Sequence, residues 1–246
     1  MKRFCLFLFC AGALATAGDP DPVGRMLDEK LTAAQRNNAC FALRGNRSHE
    51  VVAAMHGALS SEVVRACAAR NLREAGAVDE LKGALAAPEP EVRAAAAREL
   101  GSFEKPELIE ALVKAAHDPN VLVSTNAVMG LGQYHDRAVL PYLLDLAAGG
   151  GAVGVAALSH AARFDEPATL PVARKLLWGN DAAGKLIALL IVGECGDAGD
   201  LPRLREMAAK SEPVGTRGRG FGLMPALDIS RAARSAIEGI EKRQHS

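Results

Sequence analysis

Residues 88–101 read PEPEVRAAAARELG, and residues 60–76 read SSEVVRACAARNLREAG. The two stretches share one frame, V-R-x-x-A-A-x-x-L, whose apolar positions recur at helical spacing. Alanine has the best helix propensity and lets helices approach closely, so the frame reads as a helix made for tight packing. Along the chain, the first position of the frame falls on Gln35, Val64, Val92, Val123, Gly154, Gly184 and Ile229. The intervals are 29, 28, 31, 31, 30 and 45 residues. Eight positions on from each stand Leu43, Leu72, Leu100, Leu131, Ala162, Val192 and Ile237, every one apolar. A glycine usually follows (Gly45, Gly76, Gly101, Gly132, Gly193, Gly239), which reads as a helix closed by a glycine cap.

Each unit then offers a second helical pattern. PELIEALVKAAH covers 106–117, RAVLPYLLDLAA 137–148, PATLPVARKLLW 167–178 and DLPRLREMAAK 200–210. A proline opens or enters the first turn of each, where its missing N–H costs nothing. Turn signals such as Ala87-Pro88-Glu89-Pro90 and Asp118-Pro119-Asn120 separate the units. A period near thirty with two short helices per unit predicts an all-α fold, an α-solenoid whose apolar faces are buried only by stacking. Seven first-type helices predict six helix-pair repeats plus a C-terminal capping helix over 228–241.

The pattern PEPEVRAAAARELG resembles the D-P-x-x-x-V-R-x-x-A-A-x-x-L-G unit of HEAT-like repeats of the short bacterial type, named after phycobilisome lyases. The resemblance covers roughly residues 32–246. It implies a fold and says little of function, because the matching residues are packing residues. One HEAT-like enzyme family, the deoxyhypusine hydroxylases, holds iron with several His-Glu pairs. Here only His49-Glu50 forms such a pair, so that site is not carried over.

Composition narrows the function. Lys plus Arg and Asp plus Glu number 29 each, a balance that argues against a nucleic-acid partner. Lys2 and Arg3, the apolar stretch Phe4 to Ala15, and the small residues Ala15 and Ala17 form the three parts of a secretory signal over 1–17. A lead-in over 18–31 follows, and the expected location is periplasmic or secreted. Cys40, Cys67 and Cys195 remain after removal of the signal. They read as small buried hydrophobes. A Cys40–Cys67 bridge is the other reading, since both fall on the same kind of helix in adjacent repeats.

The long final interval contains an insertion over 211–225, which holds TRGRGFGLMP at 216–225. Two arginines among glycines invite a phosphate-cradle reading, but no strand precedes them and no Gly-Lys-Ser/Thr follows. GGGAVG at 149–154 fits G-x-G-x-x-G, yet it follows a helix and reads as an inter-repeat turn. The insertion reads as a connector or as a docking loop. Arg217, Arg219, Arg231 and Arg234 against Asp228 give 217–234 a local charge of +3, and Phe221 offers an anchor. On the second helices, expected to line the concave face, Glu110, Tyr142, Lys175 and Arg203 are candidates to project.

No G-x-S-x-G nucleophile elbow occurs. Ser159 and His160 are adjacent and so do not face one another on a helix. Asp165-Glu166 and Asp197 with Asp200 sit at turns, where capping explains them. The expected function is therefore an exported, monomeric protein-interaction scaffold with no catalytic residue, cofactor or metal of its own and a partner with an acidic surface. A HEAT-like enzyme of lyase or metal-dependent type, or a nucleic-acid-binding solenoid, is the alternative.

Overall fold

The structure is a computed structural model that describes residues 21–164, 167–210 and 228–245. Residues 1–17, read above as a signal, the Asp165-Glu166 pair and the insertion 211–225 lie outside the described residues, and the described residues are helical apart from short connections. The first helices of the repeats are α2 (Ala33–Ala42), α4 (Arg65–Ala75), α6 (Pro90–Gly101), α8 (Val121–Leu131), α10 (Gly151–Ala162), α12 (Ala182–Cys195) and α14 (Ile229–Gln244). Between them run α3 (His49–Ala58), α5 (Val78–Ala84), α7 (Pro106–Ala116), α9 (Leu140–Ala148), α11 (Thr169–Leu176) and α13 (Leu201–Ala209). A short α1 (Pro22–Leu27) precedes them and packs on α2, with Met26 fully buried.

Local chemistry explains the boundaries. Thr32 caps α2 in a reciprocal box with Gln35. Ser48, Asn120, Asp181 and Asp228 each accept a hydrogen bond from a backbone N–H of the helix they precede. Pro90, Pro106, Pro141 and Pro202 sit in first turns, where no helical partner awaits an N–H.

The helices form two layers around one core that runs from Met26 to Ile240. All seven frame positions fall on first-layer helices or, for Val64, at the N-cap of one. In α4, α6, α8 and α12 the frame residues are buried as the pattern requires. In α2 Ala39, Cys40 and Leu43 are buried while the frame start Gln35 is exposed, and in two further helices the frame itself shifts. In α10 the frame begins one residue earlier, at Val153, so that Ala157, Leu158 and Ala161 are the buried positions. In α14 it begins three residues later, at Ala232, which puts Ala236 and Ile240 in the core. Both helices carry apolar residues at two competing spacings. The second slip is fixed by backbone contact, since Gly193 of α12 lies directly against Ala236.

The glycines also divide. Gly45 and Gly76 adopt φ of 75° and 78°, the left-handed geometry of a helix cap. Gly101, Gly193 and Gly239 instead lie within helices. A side chain on Gly101 would collide with the backbone of Gly130, and one on Gly239 with the carbonyl of Gly193. They let neighbouring first-layer helices touch, and so are not caps. Gly149–Gly151 form the tight joint between α9 and α10, with φ of 70° at Gly150 and 64° at Gly151.

First-layer helices rest on one another along the whole stack, while second-layer helices meet their own kind at fewer points. In a curved two-layer stack, the more closely packed layer lies inside the curve. The inner face therefore belongs to the first helices. The expectation that the second helices line the concave face is corrected, and Glu110, Tyr142, Lys175 and Arg203 stand on the outer layer.

Cys40 and Cys67 form a disulfide, with Cα atoms 6.4 Å apart, that joins α2 to α4. The buried-thiol reading holds for neither. Asn71 is buried beside the bridge and donates to the Cys40 carbonyl at 2.9 Å. Cys195 is a free, half-buried thiol.

Candidate binding groove on the inner face

The sequences VRACAAR (64–70) and VRAAAAR (92–98) each carry two arginines, and the fold gives the two places opposite work. The first arginine closes a turn. Arg65 donates from Nε to the Leu59 carbonyl at 2.8 Å and also bonds that of Ser60. Arg93 donates to the Ala87 and Pro88 carbonyls at 2.9 Å and grips Asp118 in a two-pronged pair at 2.8 and 3.1 Å. These guanidinium groups satisfy carbonyls left open at the end of the preceding second-layer helix. The Arg93 pair also holds the Asp118 carboxyl below the usual carboxylate range.

The second arginine of each heptapeptide, Arg70 or Arg98, is exposed and makes no side-chain hydrogen bond or ion pair within 4 Å among the described residues. Both line one groove between first-layer helices, over a floor of alanines that includes Ala66, Ala69 and Ala94. Nearby carboxylates bond to other arginines, although the charge of Arg70 also acts on Glu74. Glu74 pairs with Arg44 at 2.7 Å, and Glu99 pairs with Arg73 at 3.2 Å. Glu62 and Glu91 belong to the other edge of the groove, at the helix N-termini, where the macrodipole favours anions. The result is an acidic edge and a basic edge along the same trough.

Past Arg98 the trough is lined by Ser102, Met129, Gln133 and His160. Ser102 donates to the Gln133 side-chain oxygen at 2.6 Å, and the Gln133 amide donates to the Arg98 carbonyl at 3.0 Å. The His160 ring fills the space left by the absent side chain of Gly132. Burial, and then the charge of Arg163, hold its pKa below the ordinary imidazole value. Farther on the inner face turns apolar. Val155 and Ile187 line a hollow between α10 and α12, and Leu186 and Leu190 another between α12 and α14.

With the frames of α10 and α14 set as above, the seventh place of every first-layer helix is exposed. These residues are Phe41, Arg70, Arg98, Met129, Ser159, Leu190 and Glu238. They form a ladder with one side chain per repeat. The sequence held this signal in the second arginine of a repeated heptapeptide, but it looked identical in kind to the first.

The other sequence candidates lie elsewhere. Arg217, Arg219 and Phe221 are outside the described residues. Lys175 donates to the Ala148 carbonyl at 3.0 Å, Arg203 to that of Leu177 at 3.1 Å, and Arg234 to that of Ala208 at 3.4 Å. All three thus close helix ends, as Arg65 and Arg93 do. Arg203 also lies 4.1 Å from the Trp178 ring centroid. Tyr142 is exposed on the outer layer, and the side chain of Arg231 is exposed on α14. Asp197 and Asp200 both hold Arg174, at 2.8 Å each, so that pair is structural. His49 and Glu50 lie in the exposed first turn of α3. Among the described residues, no three His, Cys, Asp or Glu side chains gather as metal ligands, and no helix is long and apolar enough to cross a membrane.

Residues 78–153 match the family of HEAT repeats. The chain is similar to the complex of CpcE and CpcF of phycocyanin lyase from Nostoc sp. PCC7120, at 21% identity and a TM-score of 0.44, over 94% of this chain and 92% of that one. It is also similar to human deoxyhypusine hydroxylase, at 16% identity and a TM-score of 0.39, over 90% and 95% of the two chains. A designed armadillo repeat protein matches at 15% identity and a TM-score of 0.42, over 89% and 98%. No curated protein sequence matches the chain.

Proposed function

Because this chain is a HEAT-like repeat protein, we propose that it is a scaffold that binds a partner protein along the inner groove, outside the cytoplasm. One observation carries the reading: Arg70 and Arg98, neither of them held in a side-chain hydrogen bond or an ion pair within 4 Å among the described residues, line the same alanine-floored trough. Arginine presents a planar fork matched to carboxylates, so a partner with acidic side chains fits this edge. The Cys40–Cys67 bridge supports export, since disulfides persist in oxidising compartments. The signal-like segment 1–17 points the same way.

The test is a crosslinking pull-down from the envelope fraction with mature protein as bait, each captured protein being identified by mass spectrometry. Three baits are compared: the parent, an Arg70→Ala/Arg98→Ala variant, and an Arg217→Ala/Arg219→Ala/Phe221→Ala variant. A partner lost only with the first variant supports the groove. A partner lost only with the second moves the site to the insertion 211–225. Absence of the protein from both the envelope and the culture medium overturns the export reading.

A further inference from the structure

We infer that the groove reads an extended acidic segment in steps of three residues, one step per repeat. Acidic side chains at two successive steps meet Arg70 and Arg98, and an apolar side chain at the next step meets Met129. The inference rests on the protein-binding reading above and adds the chemistry and spacing of the partner.

The spacing follows from two lengths. Packed helices lie about 8–10 Å apart, which sets the step between neighbouring rungs of the ladder. A polyproline II segment has three residues per turn and rises about 3.1 Å per residue, so side chains on one face repeat every ~9.3 Å. A β-strand repeats one face at about 6.6 Å and again near 13 Å, out of step with the helices. Carboxylates at i and i+3 of a polyproline II segment therefore reach Arg70 of α4 and Arg98 of α6 together. Residue i+6 then falls at Met129 of α8, which is 37% exposed.

Charge placement selects a peptide over a polyanion. Glu62 and Glu91 run along the opposite edge, so a continuous string of phosphates would meet repulsion across the trough. The alanine floor and the apolar third rung also have nothing to offer a phosphate backbone.

The test measures binding of labelled peptides to the mature chain by fluorescence anisotropy. The first peptide carries Glu-x-x-Glu-x-x-Leu with Pro and Ser between, in both chain directions. The second carries Glu-x-Glu-x-Leu, and the third replaces both Glu by Gln. The first is expected to bind at least about tenfold more tightly than the others, the equivalent of one charge-assisted contact. Arg70→Ala and Arg98→Ala are each expected to weaken it about tenfold, with the thermal melt unchanged because both side chains are exposed. Equal binding of the second peptide overturns the three-residue step, and indifference to either arginine overturns the site. Equal competition by a single-stranded oligonucleotide overturns the choice of a peptide. A partner captured from the envelope through Arg70 and Arg98, with no peptide bound, leaves the scaffold standing and removes this inference. Specific peptide binding through both arginines with no envelope partner supports this inference and moves the search for the partner to the culture medium.

Discussion

A methyl group at Gly101 would occupy the space of the Gly130 backbone, so α6 and α8 would have to part to admit it. Gly101→Ala is expected to cost about 1–3 kcal/mol, the range for overpacking. Gly57, inside α3, faces open space, and Gly57→Ala is expected to stabilise by about 0.5–1 kcal/mol. Thermal melts of the two variants should move in opposite directions. His160 gives a second test at this scale. Burial keeps its imidazole neutral, so the unfolded chain binds that proton more readily than the folded one. Arg163, which caps its helix, adds to the effect by its charge, and Arg70, Arg73, Arg98 and Glu99 line the same part of the groove. Its contribution is complete above about pH 6.5, the ordinary imidazole value, and declines as pH falls below that. Denaturation midpoints should drop between pH 7.5 and 5.5, and His160→Asn should flatten that slope. The arginines show where sequence reading ran out at this scale. Arg65 and Arg70 are the same letter, and only the position of the groove separates a side chain that closes a turn from one that stands free.

Helices were the most legible level. A frame repeated at nearly constant interval, prolines in first turns and capping side chains each have a local cause, so all seven first-layer helices follow from the chain alone. Two frames slipped because α10 and α14 carry apolar residues at competing spacings, and the choice between them is made by a neighbour, as Gly193 does for Ala236. Three supposed caps were close-packing glycines for a similar reason, since a letter does not say whether its backbone must turn or merely be thin. The disulfide belongs to this scale as well. It staples α2 to α4, and a single bridge of this kind contributes about 2–4 kcal/mol. In a stack where each unit touches only its neighbours, the loss should stay local. Reduction is expected to raise amide exchange in α2 to α4 and leave α12 to α14 unchanged, as hydrogen-exchange mass spectrometry would show.

Across the whole molecule, curvature was not legible at all. Which layer lies inside depends on the spacing of helices contributed by different repeats, and no window of sequence encodes it. That is why the outer-layer side chains Tyr142, Lys175 and Arg203 looked like contact residues. The far end of the stack carries its own expectation. α14 buries Ala233, Ala236 and Ile240 and leaves Arg231, Arg234 and Glu238 exposed, so it closes the core with a polar back. A chain ending at residue 210 would uncover the face of α12 around Leu189 and Val192, and terminal repeats with a polar outer side keep solenoids soluble. Light scattering should show association of that truncated chain at concentrations where the full chain stays dispersed. The heptapeptide at 64–70 and 92–98 also bears on how such a molecule changes over generations. A duplicated unit would arrive with the arginine that seals its own seam and with a rung of its own, so the groove would lengthen by one step while the partner stayed as it was. A single base change at the seventh place would then alter what is bound while the packing beneath it is inherited intact.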